Sequence, residues 1–103
     1  MPFDEKTAER MRTILASETD ISEKKMFGGL AFLKDGRMIG GVQADTIVFK
    51  LGNEQVEKAL KLKHTRPMDF TGKVIRSMVY LDPPGFRTKQ QLEKWIRLAL
   101  DAG

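Results

Sequence analysis

The sequence predicts a two-layer α+β domain with an antiparallel sheet, and three observations lead to that fold class. Apolar residues recur at helical spacing near both chain ends, alternate in short runs between them, and are separated by short turn signals. With 103 residues the chain has the usual length of one domain, so residues 1–103 are assigned to a single unit. The predicted element order is α-β-β-β-α-β-β-α, with a five-stranded antiparallel sheet.

The first predicted element is a helix over about residues 4–18. Asp4 is a suitable N-cap, and Phe3 before it can pack against Ala8. The apolar stripe of this helix consists of Ala8, Met11, Ile14 and Leu15.

Three strands are predicted next, at about 24–33, 37–43 and 46–51. Asp35-Gly36 suits the positive φ angles of a type I′ hairpin turn, and Ala44-Asp45 is a second short reversal. The pairs Gly28-Gly29 and Gly40-Gly41 fall inside the first two strands, where glycine is typical of a bulge or of close backbone approach.

A second helix is predicted at about 54–62, capped by Asn53, with Val56, Ala59 and Leu60 on its buried side. Pro67 restricts any nearby strand to a sheet edge, which makes 68–70 a short edge strand. After Thr71-Gly72 a longer strand is expected over 74–81. Its inward-facing residues are Ile75, Val79 and Leu81.

The last predicted element is a helix that follows Asp82-Pro83-Pro84-Gly85, a segment that ends the preceding strand. Thr88 and Gln91 have the spacing of a capping box at its start. The buried stripe of this helix is Leu92, Trp95, Ile96 and Ala99.

Composition narrows the function classes. The chain has no cysteine, which excludes disulfides, thiolate metal sites and cysteine nucleophiles. Its first residues lack the basic start and apolar block of a signal peptide, and no apolar run has the length of a membrane span. We therefore expect a cytoplasmic protein.

Catalytic and cofactor chemistry has little support. His64 is the single histidine and has no serine or carboxylate partner at a recognisable spacing. Gly28-Gly29 is not followed by a helix, as a phosphate-binding loop would require. We expect no enzyme activity, no metal and no cofactor.

A partner-binding surface is predicted from the first strand, which is apolar on both faces. A half-buried antiparallel strand would instead alternate with polar residues. Coverage by a helix and loops explains the pattern, and so does contact with another protein or a second copy of the chain. The candidate contact residues are Phe27, Ala31, Leu33, Met78 and Tyr80.

Direct nucleic-acid binding is the alternative function. The net charge is +4, and the densest basic stretch is opposed only by Asp69. Solvated surfaces carry similar charge, and the stretch contains a single aromatic residue, Phe70. The candidate phosphate-binding residues are Lys58, Lys61, Lys63, Arg66, Lys73 and Arg76.

Several segments of the sequence are distinctive when taken together: Lys25-Met26-Phe27-Gly28-Gly29, Asp35-Gly36-Arg37-Met38, the run from Asp45 to Lys50, Met78-Val79-Tyr80-Leu81-Asp82-Pro83-Pro84 and the last helix with Trp95. They resemble a known family, the N-terminal domain of TfoX/Sxy-type regulators. The resemblance covers nearly the whole chain and implies a two-layer α+β fold of the secretion-chaperone-like kind.

The resemblance also implies a function class. Full-length relatives are bacterial regulators of natural competence, thought to act with the cyclic AMP receptor protein at promoters, and they carry a second, C-terminal helical domain. This sequence stops at Gly103, directly after the last predicted helix. The expectation is thus a stand-alone N-terminal domain that binds another protein, for which a competence role stays open.

Overall fold

Six antiparallel strands form one open sheet, with helices packed on one of its faces. The computed structural model describes residues 3–26, 28–70 and 72–102. Strand order across the sheet is β1-β2-β3-β4-β6-β5. The elements are α1 (Glu5–Leu15), β1 (Ile21–Met26), β2 (Gly29–Lys34), β3 (Arg37–Gln43), β4 (Thr46–Lys50), α2 (Asn53–Ala59), β5 (Thr65–Phe70), β6 (Lys73–Leu81), a 3-10 turn (Pro83–Phe86) and α3 (Lys89–Asp101).

The sheet has six strands, so the prediction of five is wrong. The predicted strand 24–33 is two strands, β1 and β2, in which Met26 pairs with Gly29 across a two-residue link. Gly28 in that link has a φ of 73°, a conformation that glycine adopts at little cost. Gly28 therefore serves a turn, whereas the prediction placed it inside a strand.

The other glycine pair does accompany a bulge, as predicted. Phe32 pairs with Gly40 while Leu33 pairs with Met38, so Ile39 is an extra residue in β3. A Cβ on Gly40 would lie 2.6 Å from the Val48 carbonyl oxygen, and one on Gly41 would lie 2.6 Å from that of Leu30. Both positions therefore require glycine, because the neighbouring strands approach too closely for a side chain.

The predicted turn at Asp35-Gly36 is confirmed, since both residues have positive φ angles, 53° and 80°. The predicted edge strand at 68–70 is also present but longer, as β5 begins at Thr65 and lies at the end of the sheet. Pairing between β5 and β6 is irregular between Pro67 and Asp69.

The helix ends are partly as predicted. Asp4 caps α1 by accepting a hydrogen bond from the Thr7 amide at 3.1 Å, and Thr88 and Gln91 form the predicted capping box of α3. Asn53 is wrong as a cap: it is the first residue of α2, and Gly52 precedes it with a φ of 86°. The helix also ends at Ala59, earlier than the predicted end at residue 62.

One apolar cluster joins the helices to the face of the sheet that we call the covered face. The strand side chains in it include Leu30, Phe32, Ile47, Phe49, Val79 and Leu81. The Phe49 and Trp95 rings stack there at 6.0 Å between centroids. Within the described residues, every buried apolar side chain of the three helices belongs to this cluster. The opposite face, which we call the open face, has no helix packed on it in the described part of the chain.

Candidate functional site

At the centre of the open face, the side chains of the sheet are buried although no described helix packs on them. The register aligns one residue from each strand in a row across this face, namely Lys24, Ala31, Gly41, Val48, Tyr80 and Arg66. Ala31 and Val48 have no exposed surface. Ala31, a predicted contact residue, therefore has no surface of its own to offer a partner.

A polar network covers the β6 side of the open face. The Tyr80 hydroxyl donates to Gln43 Oε1 at 3.1 Å, and the Arg66 guanidinium lies 4.9 Å from the centre of the Tyr80 ring. Arg66 also donates to both carboxylate oxygens of Asp82, at 2.8 and 2.9 Å. These hydrogen bonds hold the pKa of Asp82 below its ordinary value. Tyr80, half-buried, is thus already engaged within the chain.

Exposed apolar surface is concentrated elsewhere, in a groove between α2 and the β5–β6 hairpin. We call this feature the α2 groove; its volume is about 360 Å³. Its lining residues are Asn53, Val56, Glu57, Leu60, Pro67, Val74, Ile75, Arg76 and Met78. Val74 is 62% exposed and Leu60 38%, which is unusual for large apolar side chains close together.

The α2 groove arises where α2 ends and where regular pairing between β4 and β6 stops. Because α2 ends at Ala59, Leu60 is its C-cap residue and lies at the solvent edge, although its spacing predicted a buried position. On the other side, the amides of Leu51 and Gly52 both donate to the Ser77 carbonyl, so β4 stops pairing regularly with β6 at this point. The first half of β6 therefore extends beyond β4, and no described strand pairs with Val74 on that side.

Charges of opposite sign accompany the apolar lining. Glu57 of α2 and Arg76 of β6 both line the α2 groove and are both exposed. Met78, predicted as a contact residue, lines it as well. A lining that combines exposed apolar side chains with charged ones is typical of a protein-binding surface.

The remaining predicted contact residues lie apart from the α2 groove. Leu33 is half-buried on β2, and Phe27 lies outside the described residues. Val74 and Leu60 are the contact candidates that the predicted site left out. Their signal was weak, because an apolar residue at a helix end or strand end is as compatible with burial as with exposure.

The six basic residues are all exposed, and they are distributed over α2, the segment after it, β5 and β6. Arg66 lies on the open face and is bound to Asp82. Lys58 belongs to α2, whose buried side joins the covered face. Lys61 and Lys63 follow α2, while Lys73 and Arg76 belong to β6.

The described residues offer little for catalysis or metal binding. His64 is exposed and has a φ of 70°, and its carbonyl accepts a hydrogen bond from the Asp82 amide at 2.8 Å. That carbonyl contact joins the start of β5 to the end of β6. Within the described ranges, no three His, Asp or Glu side chains stand close enough to hold one metal ion. None of the described helices is both long and apolar enough to cross a membrane.

Comparison with protein families supplies the classification. The family described as the TfoX N-terminal domain matches residues 13–103, which is most of the chain. The chain belongs to the TfoX N-terminal domain family. The resemblance inferred from the hairpin and the last helix is thereby confirmed. No curated protein and no solved structure matches the chain. In this TfoX N-terminal domain the match begins within α1, so it includes the whole sheet and the α2 groove.

Proposed function

We propose that the chain is a non-enzymatic regulatory domain that binds another protein through the α2 groove. The observation that carries this proposal is the exposure of Val74 and Leu60 beside half-buried Met78 and Ile75. Leaving such side chains in water is unfavourable by about 25 cal/mol per Å² of apolar surface. A partner that covers them recovers this free energy.

The regulatory part of the proposal is supported by family membership. A TfoX N-terminal domain is expected to act in the cytoplasm, with a transcription regulator as its partner and competence-type control as its setting. The absence of a metal-holding cluster among the described residues is compatible with this role.

The partner is a protein of different sequence that inserts one or two apolar side chains between α2 and β6. The groove volume of about 360 Å³ suits an anchor of that size. Glu57 and Arg76 would orient the partner through groups of opposite charge beside the anchor. Such rim charges add specificity and association rate more than affinity.

The test begins with a photo-crosslinking amino acid at position 74, in cells that express the full chain. The matched control carries the same amino acid at Lys94, an exposed residue of α3. We expect a specific crosslinked protein from position 74 alone. Once that protein is purified, its affinity is compared for Val74→Asp and Leu60→Asp.

Leu62→Asp is the control for the affinity measurement. Leu62 is 55% exposed and does not line the groove, so it undergoes the same chemical change at a similar exposure. We expect a loss of at least tenfold for the two groove variants and less than twofold for Leu62→Asp. Equal losses for all three would refute the groove as the contact. If the only crosslinked protein is a second copy of the chain, the groove mediates a homodimer and not contact with a different protein.

A further inference from the structure

The edge strand β1 is a second candidate interaction surface, at the opposite end of the sheet from the α2 groove. Its residues from Ser22 to Met26 are all exposed, and among the described strands β2 alone pairs with it. The pairing with β2 is regular over all six residues of β1. A regular edge of this length presents unpaired main-chain groups to any extended segment that approaches.

The hydrogen-bond alternation identifies which main-chain groups are unpaired. The Asp35 amide donates to the Asp20 carbonyl at 3.0 Å, and these residues continue the β1–β2 register by one position. In an antiparallel pair, bonded and non-bonded residue pairs alternate. The amides and carbonyls of Ser22, Lys24 and Met26 therefore face β2. Those of Ile21, Glu23 and Lys25 face outward from the sheet.

The other edge of the sheet is protected. β5 contains Pro67, which has no amide hydrogen, and its ladder with β6 is irregular between Pro67 and Asp69. Proline and irregularity are common devices against unwanted strand addition. Among the described strands, β1 is thus the edge that offers regular pairing.

The charged side chains of β1 indicate which kind of extended segment could pair with it. Arg12 binds both Glu23 carboxylate oxygens, at 2.8 and 2.9 Å, so the one acidic residue of β1 is already neutralised. Lys24 and Lys25 follow it, and no ion pair involves them within the described residues. Since adjacent strand residues point to opposite faces, each face of the edge presents one ammonium group.

A second copy of the chain fits this edge less well. Two-fold pairing through the outward main-chain groups must centre on Glu23 or Lys24 to overlap the strand fully. The first register places the two Glu23 side chains, each already bound by its own Arg12, opposite each other and sets neither Lys24 nor Lys25 opposite a carboxylate. The second sets Lys25 opposite an already bound Glu23 and places the two Lys24 side chains opposite each other, and like charges directly opposite each other are destabilising in a sheet.

We propose that the outward edge of β1 binds an extended acidic segment of another protein as an added seventh strand. The added strand would pair with the main-chain groups of Glu23 and Lys25. Two neighbouring carboxylates of the segment would meet Lys24 on one face and Lys25 on the other. This proposal rests on main-chain geometry and charge at β1, independently of the α2 groove.

The first test measures amide hydrogen exchange in the free protein. The Glu23 and Lys25 amides should exchange faster than the Lys24 amide between them, because only Lys24 donates to β2. The added probe is an eight-residue peptide of threonine and valine with two adjacent glutamates at its centre. A peptide with two lysines in their place is the control.

We expect the glutamate peptide to protect the Glu23 and Lys25 amides and to shift β1 resonances, with an affinity that falls as salt rises. Lys24→Glu with Lys25→Glu should weaken binding at least tenfold, whereas Lys89→Glu with Lys94→Glu on α3 should change it less than twofold. Lys25→Pro removes an outward donor without touching the β1–β2 ladder, so it should abolish binding while the fold persists.

Three results would overturn the proposal: equal binding of both peptides, unchanged binding by Lys25→Pro, or no change at β1 with millimolar glutamate peptide. A dimer in sedimentation that Lys25→Pro disrupts would assign the edge to a second copy instead. Val74→Asp should leave peptide binding unchanged. A failure here and a failure of the groove proposal are therefore distinguishable.

Discussion

Gly41 provides the sharpest test of the packing described for the sheet. In Gly41→Ala the new Cβ would lie 2.6 Å from the Leu30 carbonyl oxygen and 3.1 Å from the Ala31 Cα. An ordinary contact between carbon and a carbonyl oxygen is about 3.3–3.6 Å, so β2 and β3 must separate by several tenths of an ångström. Overpacking of this kind typically costs about 1–3 kcal/mol.

Part of that cost is offset, because alanine reduces the conformational freedom of the unfolded chain by about 0.4–1 kcal/mol relative to glycine. The net expectation is a loss of about 1–2 kcal/mol in the free energy of unfolding. For a domain of this size that corresponds to a melting temperature lower by roughly 4–16 °C. Urea denaturation with a fitted slope measures the same loss and shows whether the slope is unchanged.

Gly28 is the matched control, because its backbone conformation and not the space around it favours glycine. No atom lies within 4 Å of a Cβ at Gly28, but its φ is 73°. Asparagine tolerates that conformation better than alanine does. Gly28→Asn should therefore be more stable than Gly28→Ala, whereas Gly41→Asn should be less stable than Gly41→Ala. The same rank order at both positions, or a Gly41→Ala variant as stable as the parent, would refute the reasoning.

Three further predictions concern single contacts. Ala44 is exposed with a φ of 52°, so Ala44→Asn should stabilise the protein by about 0.5–1 kcal/mol in urea denaturation, and a destabilised variant would contradict the strain argument. The hydrogen bonds from Arg12 lower the pKa of Glu23 from its ordinary value of 4.5. The pair is therefore stabilising above that pH and loses its contribution as pH falls below it, so the advantage over Glu23→Gln, at most about 1 kcal/mol at pH 7, should shrink steadily as the pH is lowered below 4.5. Thr88→Ala should cost about 1 kcal/mol by removing the α3 cap, and Gln90→Ala at an exposed position of the same helix should cost less than half of that.

Much of the fold follows from local sequence signals. The alternation of Ile47, Phe49 and Leu51, the Asp35-Gly36 turn and the Thr88–Gln91 capping box each specify their structure within a few residues. The β1–β2 hairpin was not predicted, because Ile21–Met26 is exposed at the sheet edge and so carries polar residues on both faces. Because β1 shows no alternation of apolar and polar residues, residues 24–33 were predicted as one long strand.

The candidate site was predictable only in part. Met78, chosen for its outward position in β6, lines the α2 groove, whereas Ala31 is fully buried between β1 and β3. Leu60 shows the same limit. The helix was predicted to continue to about residue 62, but it ends at Ala59, and Leu60 is therefore exposed instead of buried. Both outcomes depend on contacts between distant segments, which the spacing of residues along the chain does not encode.

The three consecutive two-residue links between β1, β2, β3 and β4 have a consequence for the folding reaction. Each of these strands pairs with its neighbour in the chain, so little loop-closure entropy opposes that meander. β6 instead pairs with β4 across α2 and β5. Closing this longer loop costs more conformational entropy than the pairing of β1 to β4, so we expect it to be the slowest step in the assembly of the sheet. A nascent chain could thus complete two thirds of its sheet while the segment that forms the α2 groove is still inside the ribosome.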